Sequence, residues 1–316
     1  MSFVVSSLTN YTNEQSTELL GKALFGGKTA GLLYNAGQVQ VGVKSAEALN
    51  ILSSDVYFQT DACSLTPSGN TTFTQRVITV GKIAVAETLC PKTLESKWMQ
   101  TQIAPGSATA LPFEDQIGAE KARVIAEQLE IALWQGDTAT SNTNPNTNKF
   151  DGFVKILDSL GFGDATDPIA GNTASVTAIT TSNIDDVITA IYQAIPARVS
   201  EKSDLYLFMG IDNYKTMLAK LKALNLYHYN PDAGVNMEIV YPGTNVKVMG
   251  VGGLNGTNKM VATHLGNMYV GTDLAHEEEQ FKFVFDPLTE NVWFKATCKY
   301  GVQVAFPNEC VYFKLS

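Results

Sequence analysis

The chain has three histidines, His228, His264 and His276. His276 stands beside Glu277, Glu278 and Glu279, and an imidazole with carboxylates is a donor set that can hold a hydrolytic metal. Three successive acids point in different directions, however, so one of them at most can share a site with the ring, and a solvated turn is the simpler reading. His228, in LYHYN, reads as a packing and turn residue. The segment GKALFGGKT, residues 21–29, ends in the GKT of a phosphate loop, but its first glycine stands one residue too far upstream and no buried strand precedes it. GVGGLNG, residues 250–256, lacks the glycine spacing of a dinucleotide site and runs into a strand pattern instead of a helix, which makes it a hairpin turn. Asp185 and Asp186 suit the first turn of a helix. No GxSxG elbow occurs, and no Ser/His/Asp or Cys/His set can be assembled from local structure. Cys63, Cys90, Cys298 and Cys310 show no CxxC spacing, so free, reduced thiols are expected. No catalytic, cofactor-binding or metal-binding residue is assigned, and no enzyme is expected.

The elements around these residues form a pattern. Residues 13–37 read as an arm outside the core, with a short helix over about 15–24 followed by loop. A strand-like stretch covers 38–52, and 55–90 reads as a long two-stranded finger turning at LTPSGN, residues 65–70. On its returning limb Val77, Thr79, Ile83 and Val85 share one face, and Ile78, Val80, Lys82 and Ala84 the other. PFEDQIGAEKARVIAEQLEIALWQ, residues 112–135, is a long helix: proline at its start, Glu114 and Asp115 in its first turn, Gly136 at its end. Phe113, Ile117, Val124, Ile125, Leu129, Ala132 and Leu133 line its apolar side. A polar loop, GDTATSNTNPNTNKFDG, follows over 136–152. Ile184, Val187, Ile188 and Ile191 then mark a helix, DLYLFMG a buried strand, and Tyr214, Leu218, Leu221 and Leu224 a second helix. From 237 onward the chain is almost all strand, with Phe281, Phe283 and Phe285 in one limb of a hairpin, and with Trp293 and Phe294 read as core. The class is α+β.

Charged residues make up 17% of the chain, below the roughly 25% of ordinary soluble domains, so much of this surface is inexpensive to bury against other copies. A net charge of -9, with no cluster of Lys and Arg, argues against tight phosphate neutralisation. The start, MSFVVSSLTN, has no basic region and no long apolar run, so no signal peptide is expected, and no stretch has the length of a membrane span. Synthesis in a cytoplasm follows.

The order of arm, finger, long helix, loop, αβα unit and closing strands resembles the major capsid proteins of tailed bacteriophages, the HK-ninety-seven fold that encapsulins also use. TQRVITVGKIAVAETLCPKTLESKW, IAPGSATALPFEDQIGAEKARVIAEQLEIALWQGD and KFDGFVKIL are similar in wording to the capsid proteins of crAss-like and related phages of Bacteroidota. The resemblance implies an N-terminal arm over 1–37, an extended E-loop and its base over 38–98, and a peripheral domain over 99–182 with 112–135 as its spine helix. It further implies an axial domain over 183–270, and return strands of the peripheral sheet over 271–316. The implied role is a shell subunit that assembles with itself into hexamers and pentamers around packaged double-stranded DNA, without sequence-specific binding and without a membrane. Portal, scaffolding and decoration proteins are the implied partners, the virion capsid the implied place, and the bacterial cytoplasm the site of synthesis. Some relatives carry a long N-terminal scaffolding segment. The short arm here implies either a separate scaffold or a processed product. Two alternatives remain at this stage: an encapsulin-like cage with an enzyme cargo, and a metal-dependent hydrolase using His276 with Glu277 or Glu279.

Overall fold

The computed structural model describes residues 22–61, 66–90, 113–172, 176–224, 237–273, 280–286, 288–289 and 291–315. Within them run helix α1 (Lys28–Asn35), strands β1 (Val39–Val41), β2 (Ala46–Ser54), β3 (Thr71–Thr79) and β4 (Gly81–Leu89), the spine helix α2 (Phe113–Gln135), and α3 (Phe153–Leu160). Strand β5 (Ile169–Ala170), helices α4 (Ile184–Ala194) and α5 (Ala197–Ser200), β6 (Leu205–Gly210) and α6 (Ile211–Ala223) follow. Strands β7 (Glu238–Val240), β8 (Lys247–Val251), β9 (Met260–His264), β10 (Met268–Thr272), β11 (Gln280–Asp286), β12 (Asn291–Val304) and β13 (Val311–Phe313) close the order.

Three sheets result. β2 and β3 form a two-stranded ribbon. β12 is the axis of a five-stranded sheet, with β10 and β11 along one edge and β4 along the other, and β1 beside β10. A six-stranded mixed sheet runs in the order β5-β13-β9-β6-β8-β7. It is covered on both faces. Leu205, Leu207 and Met209 face the side of α4 and α6, whereas Tyr206 and Phe208 face Trp134 and Leu133 of the spine helix. Burial on both sides is why LYLFMG is apolar at every position rather than at alternate ones. Asp185 and Asp186 fill the first turn of α4, and Ile184, Val187, Ile188 and Ile191 are its buried face, as the periodicity predicts. In α6, Tyr214 and Leu221 are buried but Leu224 is exposed beyond the last turn.

Several expectations change. The N-terminal segment is not an arm clear of the core from residue 22 on: Ala23, Leu24, Ala30 and Leu33 are buried against the spine helix, and 28–35 is helix where loop was expected. On the spine helix, Ile117, Ile125, Leu129, Ala132 and Leu133 face the core. Val124 is exposed. It lies five residues from Leu129, which turns it about 140° away from that face. The outgoing limb of the finger is Ala46–Ser54 and not a strand beginning at Asp55, so 55–61 and 66–70 are irregular tip. GVGGLNG is not a hairpin turn. β8 and β9 flank β6 on opposite sides, so the segment crosses over the end of β6. Gly253 passes beneath the spine there, where a Cβ would stand 2.3 Å from a ring carbon of Trp134. Val311–Phe313 does not return to the β12 sheet but pairs with β9 and β5.

The returning limb also changes face. Ile78 and Val80 are buried in the finger root, while in β4 the odd positions Ile83, Val85 and Leu89 pack on the core. The limb leaves β2 at Thr79 and joins β12 from Gly81 on. One residue that belongs to neither ladder, Val80, resets the parity, as a bulge does.

Candidate assembly interface

Of the residues singled out for chemistry, those among the described residues are absorbed by structure. Lys28 of the GKT donates through Nζ to the Gly250 carbonyl at 2.9 Å, and the Thr29 backbone N–H donates to both carboxylate oxygens of Glu130 at 3.1 and 3.2 Å. The position a phosphate would take at this helix start is thus filled by a carboxylate of the same chain. Asp185 accepts a hydrogen bond from the Tyr241 hydroxyl. His264 lies buried with Nε2 2.8 Å from Lys202 Nζ, and Glu309 draws in Lys202 at 3.3 Å and Arg198 at 3.4 Å. Burial first, and Lys202 next, push the His264 pKa down, so the ring is a neutral acceptor for that lysine. The sequence alone gives His264 no role, because its partners come from α5, the turn after it and the loop before β13. His228, His276 and Glu277 to Glu279 lie outside the described residues, as does Cys63. Among the described residues no group of three His, Cys, Asp or Glu side chains is placed to hold a metal, and no helix is long and apolar enough to cross a membrane. Cys298 and Cys310 are buried, and Cys90 is exposed.

What stands out instead is the finger. Its nine-residue limbs pair in antiparallel register from Ala46↔Thr79 to Ser54↔Thr71. Successive side chains alternate faces, so the ribbon has two sides. One carries Leu49 and Ile78, which close with Val43, Val80 and Tyr269 into a small core at the root. The other carries Leu52 directly opposite Phe73, and Val77 beyond them, all exposed. At the tip Val56, Tyr57 and Phe58 stand out, Phe58 at 99% exposure. Scattered apolar residues on a surface are ordinary; here Leu52 and Phe73 form an exposed cross-strand pair, separated from Val77 on the same face by the hydrogen-bonded Asn50–Gln75 pair at 2.8 Å.

The root is held firmly. Gln303 donates to the Val77 carbonyl at 2.6 Å, and Gly301 passes under Thr79 so closely that a Cβ would stand 2.2 Å from its carbonyl oxygen. A second exposed apolar pair lies on the outer face of the five-stranded sheet, where Val284 and Trp293 are directly opposite each other. Trp293 is therefore not the core residue that its strand pattern suggested, whereas Phe294, one position on, is fully buried.

No protein-family model matches the chain, and no curated protein matches it. Solved structures do. A chain of the satellite phage P4 procapsid including the size determination (Sid) protein is 12% identical, with a TM-score of 0.58 over 100% of this chain and 91% of that one. The capsid of the native GTA particle matches at 13% identity and a TM-score of 0.59, over 90% of this chain and 89% of that one. The capsid of Myoviridae phage XM1 matches at 13% identity and 0.51, over 89% and 91%. The chain has the fold of phage capsid proteins. Its long helix is a spine and its ribbon an E-loop in the terms of that fold, and the α+β class expected from the sequence is the class observed.

Proposed function

We propose that this protein is the major capsid protein of a tailed bacteriophage, a structural subunit and not an enzyme, which assembles with itself into the icosahedral shell around packaged double-stranded DNA. The observation that carries the reading is the finger: a ribbon with one face sealed at its own root and three apolar side chains, Leu52, Phe73 and Val77, left open on the opposite face. An isolated two-stranded ribbon is marginal in water and gains its order from a surface to lie on. A neighbouring copy supplies that surface in a lattice where every subunit both gives and receives one finger.

In this reading residues 38–98 are the E-loop and its base, and 99–182 with the strands of the β12 sheet form the peripheral domain. The region 183–270 is the axial domain around the centres of hexamers and pentamers, and 1–37 is the arm, its last part docked on the spine. The strands from 271 on divide, the hairpin serving the peripheral sheet and Val311–Phe313 the axial one. A net charge of -9 suits a wall that contains DNA without gripping it. The wording of the finger and spine segments resembles that of capsid proteins of crAss-like and related phages of Bacteroidota, which supports an origin among such phages, with a portal, a scaffold and decoration proteins as partners. It is made in the host cytoplasm and ends in the virion. Electron micrographs of the protein expressed with its neighbouring genes test this: closed shells or capsomer rings are expected, and a protein that remains monomeric at every concentration and salt overturns it.

A further inference from the structure

Glu130 holds a carboxylate where a charge is costly. It belongs to the spine helix, is 6% exposed, and points at the start of α1. There it accepts both from the Thr29 backbone N–H and from the Thr29 hydroxyl, and the hydroxyl in turn accepts from the Trp134 indole N–H at 3.0 Å. Helix α1 has no side-chain cap and no acid in its own first turn, so a residue 101 positions away caps it. Gly27 makes room: a Cβ on it would stand 2.6 Å from Glu130 Oε2.

Charged and titratable groups face this carboxylate from several sides. Lys28 comes from α1, itself facing Glu238 of β7, and Tyr300 comes from β12. Lys22, Arg123 and Glu127 line the cleft of about 850 Å³ beside it. Arg123 is engaged by Glu120 at 2.7 Å and Glu127 at 3.3 Å.

We propose that Glu130 is a proton-operated latch that fastens residues 22–37 to the spine helix. When α1 lifts away, the carboxyl meets water and titrates in the ordinary range, near 4.3. In the docked state burial is the largest influence and raises its pKa, outweighing the bonds from Thr29, Ala30 and Trp134. The docked state therefore binds the proton more tightly than the open one. Docking is strongest below the ordinary carboxylate range and weakens as pH rises through the docked value. The latch is a property of a single subunit and stands or falls apart from shell formation.

Hydrogen exchange of the full-length subunit between pH 4.5 and 8, corrected for intrinsic rates, reads it directly. Protection of the amides of α1 is expected to fall as pH rises, by up to about tenfold per unit across the transition, the limit for one proton. Glu130→Gln, isosteric and unable to titrate, should flatten the profile, while Glu201→Gln, exposed just beyond the end of α5 and away from the cleft, should leave it. Thr29→Val removes a donor to the charged form and should move the midpoint upward. A flat wild-type profile, a wild-type slope in Glu130→Gln, or an unmoved midpoint in Thr29→Val overturns the proposal, and the first and last of these hold even if Glu130→Gln does not fold.

Discussion

Gly81 runs so close beneath Lys149 that a Cβ on it would stand 1.9 Å from the lysine's carbonyl oxygen. The atom in the way is backbone, held by the loop that follows the spine helix, so it cannot swing aside as a side-chain end does. This is the point at which the returning limb passes from the finger to the β12 sheet. Gly81→Ala should lower stability by about 1 to 3 kcal/mol through overpacking. Gly252→Ala, where a Cβ meets nothing within 4 Å, should be close to neutral. Urea midpoints of the two variants check this, and equal midpoints would remove Gly81 as the fixed corner.

The spine helix should respond to substitution by face. Leu129 is 5% exposed and packs in the main core, whereas Glu127 lies outside, paired with Arg123 at 3.3 Å. Leu129→Ala should cost about 2 to 5 kcal/mol and Glu127→Ala less than about 0.5 kcal/mol. Thermal unfolding of both, with similar losses, would mean that the helix is seated differently.

Asp158 ties α3 to the six-stranded sheet through Lys259 at 2.7 Å, the Tyr312 hydroxyl at 3.1 Å and Lys314 at 3.3 Å. Burial alone would raise its pKa, but the three donors together outweigh that and hold the carboxyl below its usual range. A depressed folded pKa gives stability that is present above the unfolded value, near 3.9, and is lost as pH falls through the folded one. Wild type should therefore lose stability below about pH 4 more steeply than Asp158→Asn. Melting temperatures of the two between pH 2.5 and 6 supply the comparison, and parallel curves would sink the assignment.

Thiol chemistry should separate the described cysteines. Burial pushes the Cys310 thiol up to about 12, and Cys298 is also buried, whereas Cys90 is exposed. In the unassembled subunit a disulfide reagent should label Cys90 at once and Cys298 and Cys310 only on unfolding, because the thiolate is the reacting form and access is required. Chelators and mild reductants should leave assembled particles unchanged. Stoichiometric zinc, or dissociation in thiol, would contradict this.

The sequence made legible those elements that one face or one run of residues defines. The helices at Ile184 and Tyr214, the buried LYLFMG strand and the long helix ending before Gly136 follow from local periodicity and caps. What it hid depends on contacts far along the chain. The helix at Lys28 is capped by Glu130, and nothing near Lys28 in sequence announces that. The parity change at Val80 arises because two ladders with different partners meet there. Trp293 looks like core by type and strand context, and only the outer face of β12 reveals that it is exposed. GVGGLNG suits a tight turn by composition, yet its glycines serve a crossover beneath Trp134.

The finger should be dispensable for folding and indispensable for assembly. Its root is self-sufficient: Leu49 and Ile78 join Val43, Val80 and Tyr269 in a small core, and Gln303 secures Val77. Its tip carries Val56, Tyr57 and Phe58 with little of its own to bury them. Replacing residues 55–70 by a short Gly/Ser turn should leave the β2–β3 ladder, the circular dichroism spectrum and the thermal transition of the subunit close to wild type. Substituting Leu52 and Phe73 by serine leaves the ladder in place and removes only its exposed apolar pair. Both changes should sharply reduce the yield of shells in sedimentation profiles at equal concentration, since one contact is lost per copy and the loss multiplies around the lattice. Full-sized shells in normal yield from either variant would mean that the finger is no assembly element. An insoluble tip variant beside a well-folded serine variant would instead place 55–70 in the subunit's own core.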